Sequence, residues 1–413
     1  MRMKDHTIQQ IIEAELTRDV ETIDLIPSDN FPSPDVQEAM TLFAIGKYAE
    51  GYPGKRYYEG REDIDALEEL VRTRAKKLFG ADHANVQAYS GSIANLAIYN
   101  ALAEPGDKIM GLELSHGGHL SHGWKVTLSA KLFKSVQYGL NPDTHLLDYD
   151  AILKLAKKEK PRVIISGYTA YPREVDFDKM SEIAHEVGAY HLADISHIAG
   201  LVVAGEHPDP FPEADVVMTT THKMLRGPRG AIILCKEELA EQIDKSVFPG
   251  IQGGPHMNII AGIGVALGEA ETREYKDYAK QVKKNAHVLA EALTDGGLDL
   301  VTGGTDNHLM LVDATNLGLT GSEAAEALLQ TGINVNRNTV PFDSRSPFDP
   351  SGFRLGTPRI TTRGWTEDDM KKIGDWIAHI CMNAKDKKEI KSVKDEVETL
   401  IGEHTMRSDG DFE

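Results

Sequence analysis

Cysteine is almost missing from this chain: its 413 residues include two, Cys235 and Cys381. That excludes a disulfide framework and a cysteine-built zinc site. Positive charge is also in deficit. Against 45 Lys and Arg stand 64 Asp and Glu, a formal net charge of -19, whereas a nucleic-acid surface needs a basic patch. No run approaches the roughly 18 continuous apolar residues of a membrane-spanning helix. The opening Met1-Arg2-Met3-Lys4-Asp5-His6 lacks the apolar core of a signal peptide. A cytoplasmic protein that contacts neither nucleic acid nor membrane is therefore expected. Internal repeats, low-complexity segments and a Walker phosphate loop are missing as well.

What remains is an ordinary globular composition, 41% apolar and 26% charged, with length for one large domain and a smaller one. Ile8, Ile11, Ile12 and Leu16 predict a helix within the first twenty residues. From Ile26 to Tyr58 the text is irregular and rich in proline, glycine and tyrosine, the signature of a functional or interface loop. Helical periodicity returns from Arg61 to Phe79 and is stopped by Gly80. Strands are then expected at 85–89, 108–112, 132–136, 163–166, 189–194, 216–219 and 231–235. Helices are expected at 92–103, 149–157 and 178–187. Such alternation predicts an α/β fold whose mostly parallel, seven-stranded sheet is covered on both faces, with ligands beyond the carboxyl ends of its strands. A long helical stretch from Pro255 to Leu293 leads to a smaller C-terminal α+β unit. There the strands are expected at 309–312, 334–336 and 352–356, with helices at 322–329 and from Glu367 onward. The expected division is 1–58 (N-terminal helix and loop), 59–275 (large domain) and 276–413 (small domain), with Arg407–Glu413 frayed.

The apolar run from Val216 ends in Thr219-Thr220-Thr221-His222-Lys223, and a turn with Gly227, Pro228 and Gly230 follows. A lysine held out of bulk water at the tip of a buried strand gains a nucleophilic amine; the alternative is a solvated surface lysine. Asp194 closes another strand, and taken alone it reads as a helix cap. Paired with Lys223 it gains a second reading, a buried carboxylate that keeps a pyridine nitrogen protonated. Ser90-Gly91-Ser92 lies between a strand and a helix, where the backbone can cradle a phosphate, although serine caps are common. Amine, acid and phosphate cradle are the three anchors of pyridoxal 5'-phosphate. His116, His119 and His122 recur every third residue. No acidic fourth ligand follows, so an imidazole stacked on an aromatic cofactor is preferred to a metal site. Gly262-Ile263-Gly264 sits in helical text and does not make a dinucleotide fingerprint.

At this point the chain resembles a known family, serine hydroxymethyltransferase. The matching pieces run in order: Tyr48-Ala49-Glu50-Gly51-Tyr52-Pro53-Gly54-Lys55-Arg56-Tyr57-Tyr58, His116-Gly117-Gly118-His119-Leu120, Thr219 to Lys223, Gly303-Gly304-Thr305-Asp306-Asn307-His308, Ser346-Pro347-Phe348 and Arg354-Leu355-Gly356-Thr357-Pro358. The resemblance implies the aminotransferase-like architecture (pyridoxal phosphate fold type I). It also implies a homodimer with shared active sites, and conversion of serine and tetrahydrofolate to glycine and 5,10-methylenetetrahydrofolate through a carbanion.

It implies roles as well. Lys223 would form the internal aldimine, Asp194 would pair with the pyridine nitrogen and His119 would stack on the ring. Thr169 and His197 would lie near the phenolic oxygen. Ser90, Gly91, Ser92 and His222 would hold the phosphate, with Gly254 from the partner subunit. Ser28 and Arg354 would bind the substrate carboxylate. Glu50, with Tyr48 and Tyr58 from the neighbouring chain, would act at the serine hydroxyl and the folate, and Thr220 completes the catalytic set. Crowding by Tyr48, Tyr52, Tyr57 and Tyr58 would partly desolvate Glu50. Leu114, Gly118, Leu120, Asn338 and Ser346, Pro347 and Phe348 would line the folate side. The chain departs from the family pattern at Asp29, Thr169, Ser196, Met218, Met224 and Phe342. An aldolase or transaldolase acting on threonine-like or alpha-methyl amino acids is the alternative within the same cofactor chemistry.

Overall fold

The structure, a computed structural model, describes residues 4–42 and 44–408. It divides into a central unit, Ser28–Lys280, and a second unit formed by Met1–Pro27 with Gln281–Glu413. Most of the terminal stretch expected to fray, and the first three residues, lie outside the described part.

In the central unit seven strands form one sheet. They are β1 (His83–Asn85), β2 (Lys108–Leu112), β3 (Lys134–Tyr138), β4 (Val163–Gly167), β5 (Tyr190–Asp194), β6 (Val216–Thr220) and β7 (Ala231–Cys235). Their order is β1-β7-β6-β5-β4-β2-β3, and only β7 runs against the others. All five residues of β4, β6 and β7 are buried. This is why these strands read as unbroken apolar runs rather than alternating ones. Helices Tyr149–Glu159 and Phe177–Glu186 begin at Asp148 and Asp176, whose carboxylates accept from the Ala151 and Lys179 N–H groups at 2.9 and 3.0 Å. Helix Glu62–Phe79 stops at Gly80, whose φ of 67° suits the left-handed C-terminal cap. Gly262 and Gly264 lie in helix Met257–Ala270, where an added Cβ would stand 2.8 Å from Met40 and 2.6 Å from Val71. They are close-packing positions.

Three of the differences from the expected boundaries have clear local reasons. β1 stops at Asn85 because beyond it the main chain is taken by Gln252, which donates to the Gln87 carbonyl and accepts from the Tyr89 N–H. Leu128–Leu132 is a helical turn, so the neighbouring strand begins only at Lys134. The long helical stretch breaks at Thr272, whose hydroxyl donates to the Glu269 carbonyl and accepts from the Tyr275 N–H. That side chain ends helix Met257–Ala270 and opens helix Arg273–Asp295.

The second unit is built on a four-stranded antiparallel sheet in the order Asp299–Leu300, Leu309–Asp313, Gly352–Gly356, Asn336–Asn338. The expected single strand 334–336 is two short ones, because Ile333–Asn334 instead pairs in parallel with Ile23–Asp24. That pairing draws the described residues up to Pro27 into this unit. Ile23, Leu25, Phe353, Leu355, Trp365 and Ile377 fill its core. Helix His6–Val20 forms where expected but buries none of its residues in the chain, leaving Ile8, Ile11 and Leu16 exposed.

Candidate active site

The tips of β5 and β6 lie side by side: Asp194 is in register with Met218, and the Ile195 N–H donates to the Met218 carbonyl at 2.9 Å. Just beyond β6 stands Lys223, half-buried, its Nζ donating to Thr220 Oγ1 at 3.0 Å. The turn that carries Lys223 is held at its carbonyls. Asn30 donates to the Lys223 carbonyl at 3.2 Å and to the Tyr278 hydroxyl at 2.8 Å, while the Tyr275 hydroxyl donates to the Met224 carbonyl at 2.8 Å. Arg226 takes the left-handed backbone (φ 54°), with its guanidinium 4.9 Å from the Tyr278 ring. The amine therefore projects from a fixed main chain.

Asp194 is buried and accepts three hydrogen bonds. His122 Nε2 and Asn95 Nδ2 approach Oδ2 at 2.9 and 3.0 Å, and the Ser196 N–H donates to Oδ1 at 3.1 Å. Burial alone would raise its pKa. The His122 hydrogen bond and charge, the nearby His119 charge and the Ser196 side chain outweigh it, and the carboxyl is held well below the usual carboxylate range. Asn95 also donates to Ser121 Oγ at 2.8 Å, and that oxygen stands 2.7 Å from His119 Nδ1. His119 and Asp194 thus share one hydrogen-bond network. The three histidines go to different places: His116 Nδ1 accepts from the Leu140 N–H, His119 meets Ser121 and His122 meets Asp194. His122 and Asn95 are site residues that sequence reasoning did not assign. The three-residue histidine spacing was the one signal for the former; for the latter there was none.

Helix Gly91–Leu102 begins beside these tips. An added Cβ on Gly91 would stand 2.7 Å from Thr220 Cγ2. Ser90 makes no side-chain capping bond and the first turn holds no acidic residue, so the free N–H groups and helix dipole are open to an anion there. Ser92 is exposed on that first turn. His222 has no partner at Nδ1 among the described residues, and burial, then the Lys223 and Arg229 charges, push its pKa down to about 3. It is therefore neutral at pH 7. Thr169 is half-buried past β4, its N–H donating to the Gly117 carbonyl, and His197 is buried three residues after Asp194. Ser28 and Asp29 are half-buried.

A second group gathers around Glu50. Tyr58 donates to Glu50 Oε2 at 3.1 Å, and the Tyr48 ring lies 5.9 Å from that of Tyr58. A Cβ on Gly254 would stand 3.3 Å from Glu50 Cγ. The expected four-tyrosine crowd is smaller. Tyr52 and Tyr57 pack edge-on against Phe248 instead, and the Tyr52 hydroxyl donates to the Asp244 carbonyl. The loop is anchored from below by Arg56, which donates to the Ala49 and Gly51 carbonyls and pairs with Asp65 and the buried Glu68.

Gly118 follows a short turn that carries half-buried Leu114 and precedes exposed Leu120. An added Cβ there would stand 2.1 Å from the Leu112 carbonyl oxygen, at the tip of β2, with only backbone to yield. Gly118→Ala is accordingly expected to cost about 3 kcal/mol or more, the scale of a forced backbone shift, read as a lowered urea midpoint. In the second unit Arg354 is buried in strand Gly352–Gly356, its Nε donating to Asn336 Oδ1 at 3.1 Å. Asn338 ends the neighbouring strand. Ser346, Pro347 and Phe348 stand exposed on a loop braced by Arg345 against Asp349 and by Ser351 against Asp343. Phe342, at the head of that loop, is half exposed with φ 60°.

Compared with protein-family models, the chain matches one described as serine hydroxymethyltransferase, over residues 1–377.

Proposed function

The chain belongs to the serine hydroxymethyltransferase family, and on that premise we propose that Lys223 and Asp194 carry its reaction. The family consists of one-carbon transferases of pyridoxal phosphate fold type I; they interconvert serine and glycine with tetrahydrofolate as co-substrate.

The donor set suits that cofactor. An amine, a carboxylate kept anionic and an uncapped helix N-terminus with a glycine at its first position all belong to the carboxyl-terminal edge of one sheet. Lys223 would hold the aldehyde carbon and Asp194 the pyridine nitrogen. Ser90, Gly91 and Ser92, with His222, would hold the phosphate, and His119 would lie against the ring with Thr169 and His197 near its phenolic oxygen. The bound cofactor supplies an electron sink for the substrate's α-carbon.

The remaining work falls to the chain's own residues. Asp194 keeps its charge because His122 and Asn95 donate to it, so a proton placed on its partner nitrogen stays there. Neutral His222 adds a hydrogen-bonding group at the phosphate without a second cation beside Lys223. Thr220 Oγ1 fixes the Lys223 amine and offers it an acceptor when protonated. Arg354 and Ser28 are proposed as carboxylate ligands, the guanidinium fork matching a planar anion. Glu50, with Tyr48 and Tyr58, would move the proton of the serine hydroxyl. In a homodimer this group, together with Gly254, would serve the partner's site; its members lie together in the chain, which supports their acting as one piece. Leu114, Gly118, Leu120, Asn338 and Ser346, Pro347 and Phe348 would form the folate side.

The observation that carries the reading is Asp194, a buried carboxylate given three donors at the strand tip next to that of Lys223. Purified protein supplied with pyridoxal phosphate should convert serine to glycine only when tetrahydrofolate is added. Cleavage of allo-threonine with no folate-dependent serine turnover would replace this assignment by the aldolase.

A further inference from the structure

We propose that Ser196 and Met218 form a positioning pair that sets the direction of the Lys223 amine; the proposal rests on Lys223 being the cofactor's amine partner. At the tips of β5 and β6 the last main-chain rung runs from the Ile195 N–H to the Met218 carbonyl. The N–H of Thr220, two residues further, is taken by a side chain: it donates to Ser196 Oγ at 3.1 Å. The same hydroxyl lies 3.7 Å from Met218 Sδ, to which it donates. A hydroxyl has one hydrogen, so directing it to the sulfur leaves a lone pair for the Thr220 N–H. Ser196, Met218 and Thr220 are all more than nine-tenths buried.

Thr220 is consequently fixed on three sides. Its N–H is on Ser196, its methyl abuts Gly91, and its Oγ1 receives the Lys223 amine. The Ser196 main-chain N–H meanwhile donates to Asp194 Oδ1. A continuous path, Asp194–Ser196–Thr220–Lys223, therefore joins the acid to the amine, each link 3.1 Å or shorter. Removing the hydroxyl leaves a buried N–H without its acceptor, and the strand tip must resettle to satisfy it. Lys223 then loses the orientation of its own acceptor.

The test uses the full-length protein freed of cofactor and mixed with pyridoxal phosphate. The rate at which visible absorbance grows and the pH midpoint of that band are measured, with thermal unfolding alongside. Ser196→Ala should slow the growth about tenfold and move the midpoint, since a misplaced reacting group costs on the order of ten- to a hundredfold. Met218→Leu, which keeps the volume and removes the sulfur acceptor, should move both in the same sense by less. A Ser196→Ala protein that folds and matches wild type in rate and midpoint overturns the proposal. Should Ser196→Ala fail to fold, Met218→Leu decides, and wild-type values for it overturn the proposal equally. Lys223→Ala is the control: a wild-type protein without the band, or a Lys223→Ala protein that retains it, refutes the assignment of the amine rather than the pair.

Discussion

Lys223→Ala is expected to abolish the visible absorbance that pyridoxal phosphate gives with the protein and to lower serine turnover at least about 10³-fold. That is the upper part of the range for removing a group that attacks or transfers a proton at the reacting centre. The fold should survive. Its hydrogen bond from Nζ to Thr220 is worth about 1 kcal/mol, a few degrees in Tm, and the turn is held through backbone carbonyls by Asn30 and Tyr275, which the substitution leaves in place. Absorbance, turnover and Tm of the two proteins, measured side by side, check this. Retained absorbance would move the role to another lysine.

Asp194→Asn is expected to lower kcat by about 10²–10³-fold, the effect of losing one pre-organised electrostatic partner. An amide has one acceptor oxygen, whereas Asp194 receives His122 and Asn95 on Oδ2 and Ser196 on Oδ1. At least one buried donor is then left unmatched, which costs about 1–3 kcal/mol. The pH dependence has a definite sign. The folded-state pKa of Asp194 is depressed, so its contribution to stability is present above the unfolded value of about 4 and is lost as pH falls through the folded value. The stability gap between wild type and Asp194→Asn should therefore be full at pH 7 and shrink below about pH 4, as urea unfolding at several pH values would read it.

How far the sequence alone carries can be judged at particular residues. Strands Ala231–Cys235 and Gly352–Gly356 have the bounds read from sequence, because each is a buried run marked off by glycine. Boundaries shifted where a distant side chain claims the main chain, as Gln252 does beyond Asn85, or where one residue serves two helices, as Thr272 does. Lys223 and Asp194 stood out because a polar residue at, or just past, the end of a buried strand is conspicuous. Asn95 and His122 did not: an asparagine inside a helix has no pattern of its own, and its reach to Asp194 spans 99 positions that only the folded sheet closes. Ser196 read only as a departure from the family pattern. Its bonds to Thr220 and Met218 depend on where two strands part, and no one-dimensional spacing encodes that.

The pairing of Ile23–Asp24 with Ile333–Asn334 also governs how the chain comes together during synthesis. The first strand leaves the ribosome roughly 300 residues ahead of its mate, a wait of about 15–60 s at ordinary elongation rates. All the sequence of the central sheet is made within that interval. The opening segment must therefore stay unpaired, its backbone donors and acceptors hydrated or guarded, until the tail arrives to receive it.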